Sequence, residues 1–135
     1  MAATSLATNI PPSFDDDTRR RLAKMCVRLL ELWRLDRRQQ AIMLGLSPDT
    51  RSTLRRLAQG APLPDQRDIL DRAGHLMGIL KSLELLFPEN PELIEAWALT
   101  PDTALGGVTP YDLVAREGVA GLRDVRAYLD HLRGR

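Results

Sequence analysis

A single cysteine, Cys26, excludes an internal disulfide, and the two histidines, His75 and His131, stand too far from it and from each other to form a metal-ligand spacing. Aromatic residues make up only 4%, and valine and isoleucine together number 10 against 24 leucines. Branched and aromatic side chains lose χ1 freedom in helices, so their scarcity predicts an all-α protein. No run of about 18 apolar residues is present to span a bilayer. Met1 to Pro12 has neither the basic start nor the apolar stretch of a signal peptide, so a cytoplasmic location is expected. The signatures of catalysis are missing as well: no paired carboxylates with a pocket, no Ser/His/Asp order, no cofactor motif. Gly106-Gly107 lacks the Gly-Lys-Ser/Thr or the preceding strand of a phosphate loop. The chain is therefore read as a non-enzyme without catalytic residues, cofactor or metal.

What is there suffices for a modest core. The 135 residues are 44% hydrophobic and 27% charged, which fits one compact domain or two very small ones. The net charge of +1 conceals a division: residues 1–62 carry 11 Lys/Arg against 6 Asp/Glu, and residues 63–135 carry 8 against 12. The first half is thus +5 and the second −4. Basic residues cluster from Arg19 to Arg56, behind Asp15, Asp16 and Asp17. This asymmetry points to a half that faces nucleic acid, or to unevenly scattered solvated charge.

Residues 1–14, with Pro11-Pro12 and no periodicity, read as a mobile arm. A first helix is expected to start within Asp15 to Thr18 and to bury Leu22, Met25, Cys26, Leu29 and Trp33. Cys26 on that stripe reads as a small core residue. Asp36 can cap a second helix over Arg37 to Leu44, ended by Gly45 in left-handed geometry. Ser47-Pro48 starts a third, running to about Gln59. Ala41 and Gly45 are small enough for the two helices to meet closely, with Leu46 and Leu54 filling the corner. Thr50, Leu54 and Leu57 then point inward, which leaves Ser52, Arg55, Arg56 and Gln59 outside and Arg51 at the flank. Arginines and amide or hydroxyl groups on one face suit phosphate contact and base-edge hydrogen bonding. The candidate DNA-binding set is Arg37, Arg38, Gln40, Ser47, Arg51, Ser52, Arg55 and Arg56. Packing or dimerisation is the alternative use of such a helix pair.

The break Gly60 to Pro64 precedes the longest helix, Gln66 to about Leu86, with Asp65 as its expected cap and Ile69, Ala73, Leu76, Met77, Leu80 and Leu83 on its apolar face. His75 reads as a flanking residue of that face. Asn90-Pro91 opens a short helix, Gly106-Gly107 a tight turn, and Thr109-Pro110 another helix with Asp112 in its first turn. Trp97 is expected to anchor a small second core. Val119, Leu122, Val125, Leu129 and Leu132 form the inner face of a last helix.

Two stretches carry a resemblance. Ala41 to Pro48, Ala-x-x-x-Gly-Leu-Ser-Pro, resembles the helix-turn-helix of Xre-like repressors, although Arg51 stands where many members have an apolar residue. Trp97, Thr100-Pro101, Ala104-Leu105-Gly106-Gly107, Thr109-Pro110-x-Asp112-Leu113 and Glu117-Gly118 resemble the toxin-binding domain of the Xre/MbcA/ParS antitoxin family. The resemblance covers about residues 18–135 and divides the chain into an arm (1–14), a helix-turn-helix domain (15–64) and a helical toxin-binding domain (65–135). It implies an antitoxin that blocks a RES-domain, NAD-degrading toxin and, as a homodimer on operator DNA, represses its own operon. The toxin-binding residues it implies are Trp97, Asp102, Leu105, Gly106, Gly107, Thr109 and Tyr111; Arg133 and Arg135 of the free terminus are candidates beside them. Most also have a purely structural use. Family members often carry Asn at position 102, so a hydrogen bond donated there would be lost. The basic end Leu132-Arg133-Gly134-Arg135 differs from the apolar tail of some relatives, and its arginines either pair with acidic groups at a cleft mouth or are solvated. The alternative function is a helix-turn-helix regulator with a dimerising or sensing C-terminal domain and no toxin partner.

Overall fold

The structure, a computed structural model, describes residues 14–47 and 51–134. Residues 1–13 of the expected arm, Pro48, Thr50, the Arg51 side chain and Arg135 lie outside the described residues. Seven α-helices account for most of the rest: α1 (Asp16–Leu32), α2 (Arg37–Leu44), α3 (Arg51–Ala58), α4 (Arg67–Leu86), α5 (Pro91–Ala96), α6 (Pro110–Glu117) and α7 (Val119–Leu132). Two 3₁₀ turns, Trp97–Leu99 and Thr103–Leu105, lie between α5 and α6. No strand occurs among the described residues, only one isolated bridge between Asp102 and Val108. The all-α expectation holds.

Local chemistry sets most helix ends. Asp15 caps α1 by accepting from the Thr18 N–H at 2.8 Å. Asp36 and Gln39 form a reciprocal capping box on α2, and Gly45 closes that helix at φ 76°. Asn90 caps α5 ahead of Pro91, and Thr109 caps α6 ahead of Pro110. Helix α4 departs from expectation. Its N-cap is Gln66, which makes no side-chain cap bond, so Asp65 does not cap it. The start of α4 is fixed instead by the chain before it: Arg19 donates to the Leu63 carbonyl at 2.7 Å, and the Leu63 N–H donates back to the Arg19 carbonyl at 3.2 Å.

Helix α4 is the spine. It packs lengthwise against α7 and, along its other side, against α1 and α2, while α3 lies on α1 and α6 lies on both α2 and α7. One continuous core results, reaching from Ala23, Cys26, Leu30 and Trp33 through Leu54 and Leu57 to Leu76, Ile79, Leu83, Leu122, Val125 and Leu129. Trp97 does not anchor a separate core. Its ring stands 5.2 Å from that of Trp33, tilted by 43°, and so joins α1 to the segment after α5.

Three side-chain expectations are corrected. Met25 is 48% exposed, because the buried face of α1 is centred on Cys26 and Leu30 and takes in Ala23 and Val27; position 25 lies about 100° round the helix from Cys26. Leu132 is 47% exposed at the end of α7. Gly45 does ease a close approach, but to α4: a Cβ there would stand 2.7 Å from an Asp68 carboxylate oxygen. Gly121 makes a second close approach that sequence reading passed over, since a Cβ on it would lie 2.8 Å from the Leu113 carbonyl where α7 crosses α6.

Candidate functional site

The first candidate surface is the outer face of α3. Leu54 and Leu57 are buried against α1, and this orients Ser52, Arg55, Arg56 and Gln59 to solvent as expected. Arg55 and Arg56 fall in the last turn of α3, where the helix dipole favours cations. Arg37 and Arg38 are exposed in the first turn of α2, and Ser47 is exposed after it. Gln40 is not on this surface. It is buried, with its amide donating to the Leu35 carbonyl at 2.9 Å and its carbonyl accepting from Arg37 at 3.4 Å. A face of arginines with hydroxyl and amide groups can neutralise phosphates and reach base edges.

The second candidate surface lies between the segment after α4 and the end of α7. A cleft of about 270 Å³ there is lined by Phe87, Leu93, Trp97, Pro101, Tyr128 and Leu132, among others. Leu93, 37% exposed, and Leu132 leave apolar surface at this cleft open to solvent. Asp102 forms its polar corner. The carboxylate accepts from the Ala104 N–H at 2.9 Å, and its charge and hydrogen bond add to desolvation in raising the Tyr128 phenol above its ordinary value. Position 102 works here as an acceptor on both counts, so a carboxylate serves where loss of an amide donor was expected.

The turn beyond it is built from backbone. The Leu105 and Gly107 N–H groups donate to the Asp102 carbonyl, and the Asp102 N–H donates to Val108; Gly106 and Gly107 take φ of 81° and 84°. Leu105 rests against the core, and the Thr109 hydroxyl is used in capping α6. Tyr111, half-buried, stands near Asp36 and Arg38 at the start of α2; desolvation first, then Asp36, raises its phenol. Arg133 is drawn inward, 15% exposed, donating to the Ser82 hydroxyl at 3.1 Å and pairing with Asp130 at 3.8 Å. The structure thus gathers Trp97 and Asp102 at the cleft, carries Tyr111 toward α2, and ties Arg133 to α4.

Burial pushes the Cys26 thiol up to about 12, which suits a core residue. His75 is held below its ordinary value, by desolvation first and then by Arg126 and Arg123. No group of three metal-binding side chains exists among the described residues, and no described helix is long and apolar enough to cross a membrane. Leu93 and Tyr128 escaped sequence reading. Leu93 reads as one more apolar residue of a short helix, and Tyr128 lies beside, not on, the inner stripe of α7.

Comparison with known families agrees with this geometry. Residues 17–78 match the antitoxin Xre-like helix-turn-helix domain, and residues 82–135 match the antitoxin Xre/MbcA/ParS C-terminal toxin-binding domain. No curated protein matches the chain.

Proposed function

Because the chain belongs to the Xre/MbcA/ParS antitoxin family, we propose that it neutralises a RES-domain, NAD-degrading toxin and represses its own operon as a homodimer. The coarser assignment, a toxin–antitoxin antitoxin with a DNA-binding and a toxin-binding region, follows from the two adjoining matches. The finer one rests on the two surfaces. The observation that carries it is the pairing of an exposed Ser52, Arg55, Arg56, Gln59 face with an open apolar cleft at Leu93, Trp97 and Leu132 on one continuous core. The first is fitted to a polyanion, the second to apolar side chains of a protein.

Arg37 and Arg38 hold phosphates while Arg51, Ser52 and Arg55 approach bases, and two copies read two half-sites. On the toxin side the cleft takes an apolar group of the toxin while the Leu105 to Tyr111 turn covers its active-site mouth. Two measurements test this. Co-expression with the product of the neighbouring open reading frame should relieve growth arrest and NAD depletion and yield a co-purifying complex. Anisotropy titration on the duplex upstream of the gene should give binding that falls steeply with salt. A neighbour that neither depletes NAD nor co-purifies would leave only the regulator; salt-independent binding would contradict the basic face.

A further inference from the structure

Arg72 of α4 hydrogen-bonds to the last turn of α2 and lies close beside the α6–α7 junction. Its Nη1 donates at 2.9 Å to the Ile42 carbonyl in the last turn of α2, and its Nε donates at 3.1 Å to Asp68. Its Nη2 lies 3.2 Å from where a Cβ on Gly118 would stand, and Gly118 ends α6 and opens α7 at φ 65°, ψ −140°. The side chain is only 13% exposed. One guanidinium therefore stands at the C-terminal ends of α2 and α6, where the helix dipoles favour a cation. The fit on the α2 side is close: a Cβ on Gly45, the residue from which the chain turns toward α3, would stand 2.8 Å from the Arg72 Nε.

We propose that Arg72 is a positioning residue for DNA recognition, which holds the turn before α3 and the α6–α7 junction on one side chain. The DNA-reading helix is thereby presented at an angle set from the C-terminal half. This rests on the DNA-binding reading given above. Arg72 itself faces inward, so it acts through the turn and not on phosphate. A lysine cannot replace it fully, since one ammonium lacks the planar fork that reaches Ile42, Asp68 and the Gly118 junction together.

The test uses the full chain as wild type, Arg72→Met and Arg72→Lys, with circular dichroism to establish folding. Hydrogen exchange reads the two turns. The Gly45 and Leu46 amides donate to Ile42 and Ala41, and the Gly118 amide donates to Val114 at 2.7 Å. In Arg72→Met both turns should lose protection together, and Arg72→Lys should restore no more than one. Loss confined to one turn, or no loss, overturns the joint. Anisotropy titration over a salt series on the upstream duplex reads the consequence: Kd should rise roughly tenfold, a usual size for coupling between sites, with the salt slope unchanged. An unchanged Kd overturns the positioning role, and a slope smaller by about one assigns Arg72 to phosphate and overturns it too. A wild-type chain that does not bind the duplex fells the DNA reading and the positioning role with it, whatever exchange shows of the joint.

Discussion

Helix α3 and the cleft beside α5 and α7 both face solvent, yet they expose opposite chemistry. On α3 the leucines are buried and the arginines are outside; at the cleft Leu93 and Leu132 are themselves outside. The difference follows from helix support. Helix α3 lies broadside on α1, so its apolar stripe is covered, whereas α5 is six residues long with none fully buried, and α7 ends beyond the core. One surface is therefore suited to charge and the other to apolar contact, while a single hydrophobic core lies beneath both.

The largest test strikes that common core. Trp33→Ala removes a ring that is 1% exposed and packed at a tilt against Trp97, and should cost about 3–5 kcal/mol. Urea unfolding followed by circular dichroism and by Trp97 fluorescence should show coincident transitions. Two separate transitions would mean that the halves are independent. Trp33→Phe should cost less, since the Trp33 Nε1 is buried without an acceptor among the described residues.

The next test separates the surfaces. Arg55→Ala should weaken DNA binding by about 1–3 kcal/mol if Arg55 reads a base edge, leaving toxin binding unchanged. Leu132→Asp should do the reverse, because it places a charge in the apolar cleft. Paired titrations with duplex and with the co-purified toxin decide it; loss of both in either variant would abolish the division. Gly121→Ala comes third, at about 1–3 kcal/mol in thermal unfolding, because the added methyl meets backbone at the α6–α7 crossing.

The smallest effect is a pH dependence. Folding holds His75 below its ordinary value of 6.5, so the unfolded chain binds more protons near that pH. Stability should be fullest above about 6.5 and decline as the pH falls through that value toward the folded one. His75→Gln should flatten this part of the profile in denaturant titrations at a series of pH values. A profile that stays the same would place the titration elsewhere.

Much of this was legible in the residues. The caps at Asp36, Asn90 and Thr109, the Gly45 stop and the inward Leu54 and Leu57 all depend on neighbours within about one helical turn, where spacing and hydrogen-bonding groups settle the geometry. The same local logic exposed the α3 face and carried the family resemblance from Trp97 to Gly118. Met25, Asp65 and Leu132 were misplaced because each depends on what packs against its helix from elsewhere. Periodicity shows that a face exists; it does not show how far round the covering helices extend.

The amino-acid sequence by itself thus determined an all-α chain, several of its helix ends, the basic character of its first half and the motifs of its second. Tertiary structure alone decided that Trp97 packs against Trp33, that Arg133 turns inward to Ser82, that Gln40 leaves the surface and that Arg72 sits between two distant turns. The physical reason is range. Capping and amphipathicity are set by bonds and spacings a few residues apart, whereas these contacts join positions 30 to 64 residues apart for Arg72, Arg133 and the Trp pair, or require the burial of one amide among several exposed polar groups.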